Sequence, residues 1–101
     1  MYGKPSNKNL YLFNGDFVDW GSFSIEVMIL LLCYKVVHPK LLFLNWGNHE
    51  SRDLNMMYGF EGEVVAKYCS DTFLLFLDLF KCLPLAHIIE RKIFVVHGGL
   101  T

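Results

Sequence analysis

Gly15-Asp16-Phe17-Val18-Asp19-Trp20-Gly21 follows almost directly on an apolar run, Leu10-Tyr11-Leu12-Phe13. Carboxylates at Asp16 and Asp19, framed by glycines where a strand ends, are costly to hold at a protein's interior edge unless they bind or react. A second cluster, Asn45-Trp46-Gly47-Asn48-His49-Glu50, follows Leu41-Leu42-Phe43-Leu44. A third, His97-Gly98-Gly99, follows Ile93-Phe94-Val95-Val96. Each time an apolar strand delivers metal-capable or acid/base residues into a glycine-bearing loop. Any one cluster alone also reads as a turn or a cap. Three at strand ends point to one site, because open α/β sheets place ligands beyond the carboxyl ends of their strands.

The chain has 101 residues, 53% of them hydrophobic and 19% charged, which sets an upper bound of one domain and rules out a disordered tail. So apolar a chain of this length is either a very tight domain or a piece of something larger, since small domains bury less of their surface. The net charge is −1 with no basic run, so no nucleic-acid partner is expected. Val27 to Val37 is the most apolar run; Lys35 interrupts it, and it is shorter than the about 20 residues of a membrane span. No membrane partner is expected. Cys33, Cys69 and Cys82 form no C-x-x-C pair and sit in apolar surroundings. They predict buried, reduced thiols and a cytoplasmic or nuclear location.

Along the chain, residues 9–14 predict a buried strand covered on both faces, because the apolar positions are consecutive. Ser22 or Ser24 would cap a largely buried helix from Ile25 to Val37, which His38-Pro39 stops. Residues 40–45 predict a second strand, which completes a right-handed βαβ unit with parallel strands. Arg52 to Tyr58 predicts a helix, interrupted by Gly59-Phe60-Glu61-Gly62 and resuming from Glu63 to Tyr68. Ser70-Asp71 would cap a helix over Thr72 to Cys82, with Phe73, Phe76 and Phe80 on its core face and Pro84 ending it. Ala86 to Ile89 and Lys92 to His97 predict two strands around a Glu90-Arg91 turn. His38 and His87 have no comparable setting and read as ordinary surface or core residues.

The clusters have a common chemistry. Asp16 suits a hard divalent cation and, through its two oxygens, can bridge a pair of them. Asn48 offers an amide oxygen and His97 an imidazole nitrogen, a mixed set that suits manganese, iron or zinc. A pair of such ions, roughly 3.5–4 Å apart, activates a water for in-line displacement at phosphorus. The leaving alkoxide needs a proton, which His49 is placed to give, with Asp19 as the carboxylate that orients its ring.

These motifs resemble a known family. GDFVDWG is similar to the GD-x-VDRG signature, NWGNHE to RGNHE and HGGL to the third signature of the phosphoprotein phosphatases, metal-dependent serine/threonine phosphatases. The likeness runs over essentially the whole chain. In YLFNGDFVD, GSFSIEV, MMYGFEGEV-x-AKY and LPLAHII it is greatest to the protein phosphatase 5 subfamily. It implies an α/β fold of the calcineurin-like metallophosphatase type, a partial β-sandwich with βαβ units and metal ligands in loops at strand ends. It also implies hydrolysis of phosphoserine and phosphothreonine in phosphoprotein substrates at a site holding two divalent ions, with manganese expected. Asp16 would bridge the metals, Asn48 and His97 would ligate the second, His49 would be the general acid with Asp19 behind it, and Tyr58 would lie beside the substrate groove. Glu50 would support its loop.

Two departures stand out: Trp20 and Trp46 occupy positions where the signatures carry arginine. The first family arginine belongs to the phosphate clamp, and an indole offers one N–H, no charge and no bidentate fork. The signature GD-x-HG, which supplies further metal ligands, and a later metal histidine are absent. Residues 1–101 are therefore expected to be part of a catalytic domain, weak or inactive alone. The alternative is a non-catalytic pseudophosphatase in which Trp20 and Trp46 are partner contacts.

Overall fold

Strand β1 (Tyr11–Phe13) runs parallel to β2 (Leu42–Leu44), with Tyr11 opposite Leu42, Leu12 opposite Phe43 and Phe13 opposite Leu44. Helix α1 (Ser24–Val37) connects them, so the expected βαβ unit is present. The computed structural model describes residues 3–98. After β2 come α2 (Arg52–Tyr58), α3 (Phe60–Lys67) and α4 (Ser70–Lys81). Strands β3 (Ala86–Ile89) and β4 (Ile93–Val96) close the chain as an antiparallel hairpin. Glu90 and Arg91, both with positive φ (52° and 58°), turn the chain, and the Lys92 amide donates to the Ile89 carbonyl at 2.9 Å; because Ile89 pairs with Ile93, Lys92 belongs to a three-residue loop rather than to the strand expected from Lys92 to His97. None of the described helices is long and apolar enough to cross a membrane.

The core forms where α1, α3 and α4 meet. Val18, Ile25, Met28, Phe60, Val64, Phe73, Phe76 and Phe80 make one buried cluster. Phe60 is its centre, with ring centroids 6.3, 5.3 and 5.9 Å from Phe73, Phe76 and Phe80. Burying one such side chain stabilises by about 1.5–3 kcal/mol. Leu31, Leu42 and Leu44 form a second cluster beneath the parallel strands. Between the two sheets the connections are polar: Asn14 Nδ2 donates to the Val96 carbonyl and Asn45 Nδ2 to that of Val95.

Several expectations are corrected. β1 is shorter than 9–14, because Asn9 pairs with Ser6 in a separate bridge and the Asn14 side chain turns to Val96 and Asn45. Its residues are half-buried rather than covered on both faces. Helix α1 is not largely buried: Ile25, Met28 and Leu31 face the core, while Val27, Leu30, Val36 and Val37 are exposed. An all-round apolar sequence does not specify which face finds a partner. Neither Ser22 nor Ser24 caps it; Phe23 holds the cap position, and Glu63 Oε2 accepts the Ile25 N–H at 2.9 Å. The break between α2 and α3 is Gly59 alone, at φ 112°, where left-handed backbone favours glycine. Ser70 is the first residue of α4 rather than its cap, which falls at Cys69, whose thiol contacts Thr72 Oγ1 at 3.3 Å. Cys33, Cys69 and Cys82 are all exposed rather than buried.

Candidate functional site

Two glycines bring the first two loops together. A Cβ on Gly15 would lie 2.6 Å from the Gly47 Cα, and one on Gly47 would lie 2.4 Å from the Asp16 amide nitrogen. The loops after β1 and β2 therefore pack backbone to backbone, which no other residue permits. Gly15 also takes φ 83°, and Asp16 follows at 58°, both in left-handed backbone.

Glu50 clamps this crossing. Its Oε2 accepts from the Asp16 and Gly47 amides at 2.8 and 2.7 Å, and its Oε1 from Phe17 at 2.6 Å. The side chain is buried, and burial pushes its pKa up while the three amides pull the other way. Supporting the loop, the role expected of Glu50, is what these bonds do. Trp46 lies half-buried beside it, with Nε1–H donating to the Glu50 carbonyl at 2.8 Å and the Trp46 amide donating to Pro84 O at 2.7 Å. That indole holds its own loop.

The crossing aims Asp16 in two directions. Oδ1 accepts the His49 amide at 3.1 Å, and Oδ2 stands 3.1 Å from His97 Nε2. His97 Nδ1 lies 2.5 Å from the Asn14 carbonyl oxygen. A carbonyl only accepts, so Nδ1 carries the hydrogen and Nε2 meets the carboxylate with either a proton or a lone pair. A lone pair facing a carboxylate oxygen is stable only with a cation between or beside them. Asn48 is exposed in the same turn as His49; its carbonyl accepts from Ser51 Oγ at 2.9 Å, and among the described residues its amide forms no hydrogen bond. Among those residues, no three His, Cys, Asp or Glu side chains converge as a closed metal cluster. The donor set is thus a carboxylate, an imidazole and a free amide oxygen, open on one side. It fits a divalent ion that completes its shell with water or other ligands.

Asp19 organises the other half. Its Oδ2 lies 2.9 Å from His49 Nδ1 and accepts from Asn55 Nδ2 at 3.0 Å, while Oδ1 accepts the Phe60 amide at 3.0 Å. Since a carboxylate accepts, His49 Nδ1 is the donor and Nε2 is the nitrogen left for a ligand. Asn55, fully buried on α2, also donates to the His49 carbonyl at 2.7 Å. The His49 ring is buried, and two exposed rings lie against it: Trp20 at 4.9 Å and Tyr58 at 5.3 Å between centroids.

The structure thus groups Asp16 with His97, and His49 with Asp19, Trp20 and Tyr58, in two adjoining halves joined by the bond from the His49 amide to Asp16. Gly99 and Leu100, the end of the third signature, lie outside the described residues. Sequence reasoning missed Asn55, Asn14 and Asn45. Asn45 is fully buried, donates to Asn14 Oδ1 at 2.9 Å and faces His87 Nδ1 through its own Oδ1. The usable signal was a polar residue directly after an apolar strand (Asn14, Asn45) or inside a helix (Asn55), which costs stability when buried unless paired. His87, taken as ordinary, is therefore one end of a polar chain that reaches His97 through Asn45 and Asn14.

Residues 2–101 match the calcineurin-like phosphoesterase family. Over 100 residues the chain is 56% identical to serine/threonine-protein phosphatase T of Trypanosoma brucei brucei, covering 99% of this chain and 21% of that protein. It is 51% identical to human serine/threonine-protein phosphatase 5, with 99% and 20% covered. A solved serine/threonine phosphatase from Saccharomyces cerevisiae, described as similar to human phosphatase PP5, superposes with a TM-score of 0.95 at 51% identity. That match covers 99% of this chain and 32% of the yeast one. The chain spans about a fifth of the length of the curated relatives it matches.

Proposed function

The chain belongs to the calcineurin-like phosphoesterase family, and from that membership we propose that its site hydrolyses phosphoserine and phosphothreonine side chains of proteins, as part of a larger catalytic domain. The relatives' names, serine/threonine-protein phosphatases, support the substrate class. The observation that carries the reading is the His49–Asp19 pair set beside Asp16 and His97.

Asp16, Asn48 and His97 would hold divalent metal, with Asp16 shared between two ions and manganese, iron or zinc suited to the ligands. When bound, the ions supply an activated water and neutralise charge on the phosphoryl oxygens. The chain's own residues do the rest. Asp19 fixes the His49 ring, so that Nε2 presents a proton to the oxygen leaving phosphorus. Asn55 and the Phe60 amide hold Asp19 in turn. Glu50 keeps the Asp16 and Gly47 backbones in register. Tyr58 borders the groove in which the substrate side chain lies.

A second reading, a pseudophosphatase that binds without turnover, draws on Trp20, whose exposed indole stands beside His49 where the family signature carries a cation. Titration calorimetry with Mn²⁺ separates the two. The phosphatase reading expects saturable Mn²⁺ binding that is lost in Asp16→Asn, a substitution suited to left-handed backbone. No divalent-metal binding, together with a saturable protein partner, would establish the second.

A further inference from the structure

We propose that Asn14, with its amide set by Asn45, is the positioning residue of His97: it fixes where the imidazole stands and which ring nitrogen faces Asp16. This rests on the assignment of His97 as a metal ligand.

The hairpin that leads into His97 shares no strand pairing with the sheet that leads into Asp16: β1 pairs with β2, and β3 with β4. Ladder hydrogen bonds therefore do not set the third loop against the first, and side chains have to. Asn14 does so at two points. Its Nδ2 donates to the carbonyl of Val96, the residue before His97, at 3.3 Å. Its own carbonyl takes the His97 Nδ1 hydrogen at 2.5 Å. The first bond holds the backbone that carries the ring, and the second holds the ring. Asn14 lies two residues before Asp16, so this grip sets the 3.1 Å approach of His97 Nε2 to Asp16 Oδ2.

The Asn14 amide has one satisfied orientation. Its Oδ1 accepts from Asn45 Nδ2 at 2.9 Å while its Nδ2 faces the Val96 carbonyl. Turned over, it would set oxygen against the Val96 oxygen and nitrogen against the Asn45 nitrogen. Asn45 is fixed in the same way. Its Nδ2 also donates to the Val95 carbonyl at 3.2 Å, and its Oδ1 accepts from His87 Nδ1 at 2.5 Å. Asn45 is fully buried, so a lost partner there goes unreplaced by water. The donors thus point one way, from His87 through Asn45 and Asn14 to the end of β4. A metal-ligating imidazole needs its other N–H held by an acceptor, and removing such a support weakens metal binding about 10–100-fold.

Bonds that only fastened two sheets together would add stability without touching the ring, so the experiment reads the ring itself. It uses the whole chain. The His97 Nδ1–H proton is followed by heteronuclear NMR without metal, and Mn²⁺ affinity by calorimetry. In the wild type that proton should be protected from exchange with water. Asn14→Ala, at an exposed position, keeps the carbonyl and loses the amide. It should open the proton to exchange and weaken Mn²⁺ binding about 10–100-fold. Asn45→Leu should move both readouts the same way to a smaller degree. Leu31→Val trims the cluster beneath the parallel strands and touches none of these amides. It should lower the melting temperature and leave both readouts unchanged. Protection unchanged in Asn14→Ala, or an equal loss in Leu31→Val, overturns the proposal. If both the wild type and Asn14→Ala bind Mn²⁺ equally and hydrolyse a phosphoserine peptide, the positioning role fails and the phosphatase reading stands. If protection depends on Asn14 but the wild type binds no Mn²⁺, the ring is positioned as proposed and the phosphatase reading fails.

Discussion

The Asp19 carboxylate ties His49 to the start of a helix: Oδ2 lies 2.9 Å from His49 Nδ1, and Oδ1 takes the first amide of α3, that of Phe60, at 3.0 Å. One side chain thus orients the acid and satisfies a helix N-terminus, where a negative charge is favoured. Asp19 itself has φ 72°. Asp19→Asn suits that backbone and keeps an oxygen for Phe60, but it loses the charge behind the imidazole. It should lower turnover of a phosphoserine peptide by about 10²–10⁴-fold, the usual worth of a positioned acid, with little change in secondary structure. Initial rates alongside circular dichroism check it.

Gly47→Ala should do the reverse, damaging the fold and the site together. Its methyl would sit 2.4 Å from the Asp16 amide nitrogen and 2.8 Å from Glu50 Oε2. The loops must part, at an overpacking cost of about 1–3 kcal/mol. Each amide that Glu50 then fails to reach adds about 1–3 kcal/mol. Urea denaturation should show a lowered midpoint, whereas a substitution at Gly62, with nothing near its Cβ, should cost about 1 kcal/mol or less.

His87 sets a pH dependence. Burial, and then the nearby Lys35 charge, hold its pKa below the ordinary 6.5. The folded chain therefore binds fewer protons here than the unfolded one. The stability this contributes is present above the ordinary value and is lost as pH falls through the depressed one. Glu50, raised by burial, has the opposite sign: its contribution is present below its ordinary value and lost as pH rises through the raised one. Thermal melting between about pH 7 and pH 5 should show the chain losing stability, and His87→Asn should flatten that slope.

Trp20→Arg should raise turnover of the serine phosphopeptide. A guanidinium adds a charge-assisted bond to phosphate worth about 1.5–3 kcal/mol, or roughly ten- to a hundredfold in rate. The companion change Trp46→Arg should give no such gain, because it removes the indole bond to the Glu50 carbonyl. Steady-state rates of the two single variants distinguish them.

The local elements were legible where local sequence determines them. Arg52 to Tyr58 is helical as expected, and Glu90-Arg91 turns the hairpin. Phe73, Phe76 and Phe80 share a buried face because helical spacing puts them there. The mixed α/β architecture followed from three strand-end clusters, and its calcineurin-like type from the resemblance of their motifs to the phosphatase signatures. What was not legible depends on residues far apart in sequence. The Ile25 amide is capped by Glu63, 38 residues on, and no local rule selects it over Ser22 or Ser24. The outward face of α1 and the exposure of Cys33, Cys69 and Cys82 depend on which surfaces meet, not on how apolar the run is. In the site, Asp16, Asp19 and His49 announced themselves, but Asn55 and Asn45 looked like ordinary polar residues until their partners folded against them.

The central claim is that His49 gives the proton to an oxygen leaving phosphorus. It is tested most directly by phosphate release from a phosphoserine peptide in excess Mn²⁺, wild type against His49→Asn. The account predicts weak but measurable release by the wild-type chain and a loss of about 10²–10⁴-fold in the variant. Equal release by the two chains would contradict it.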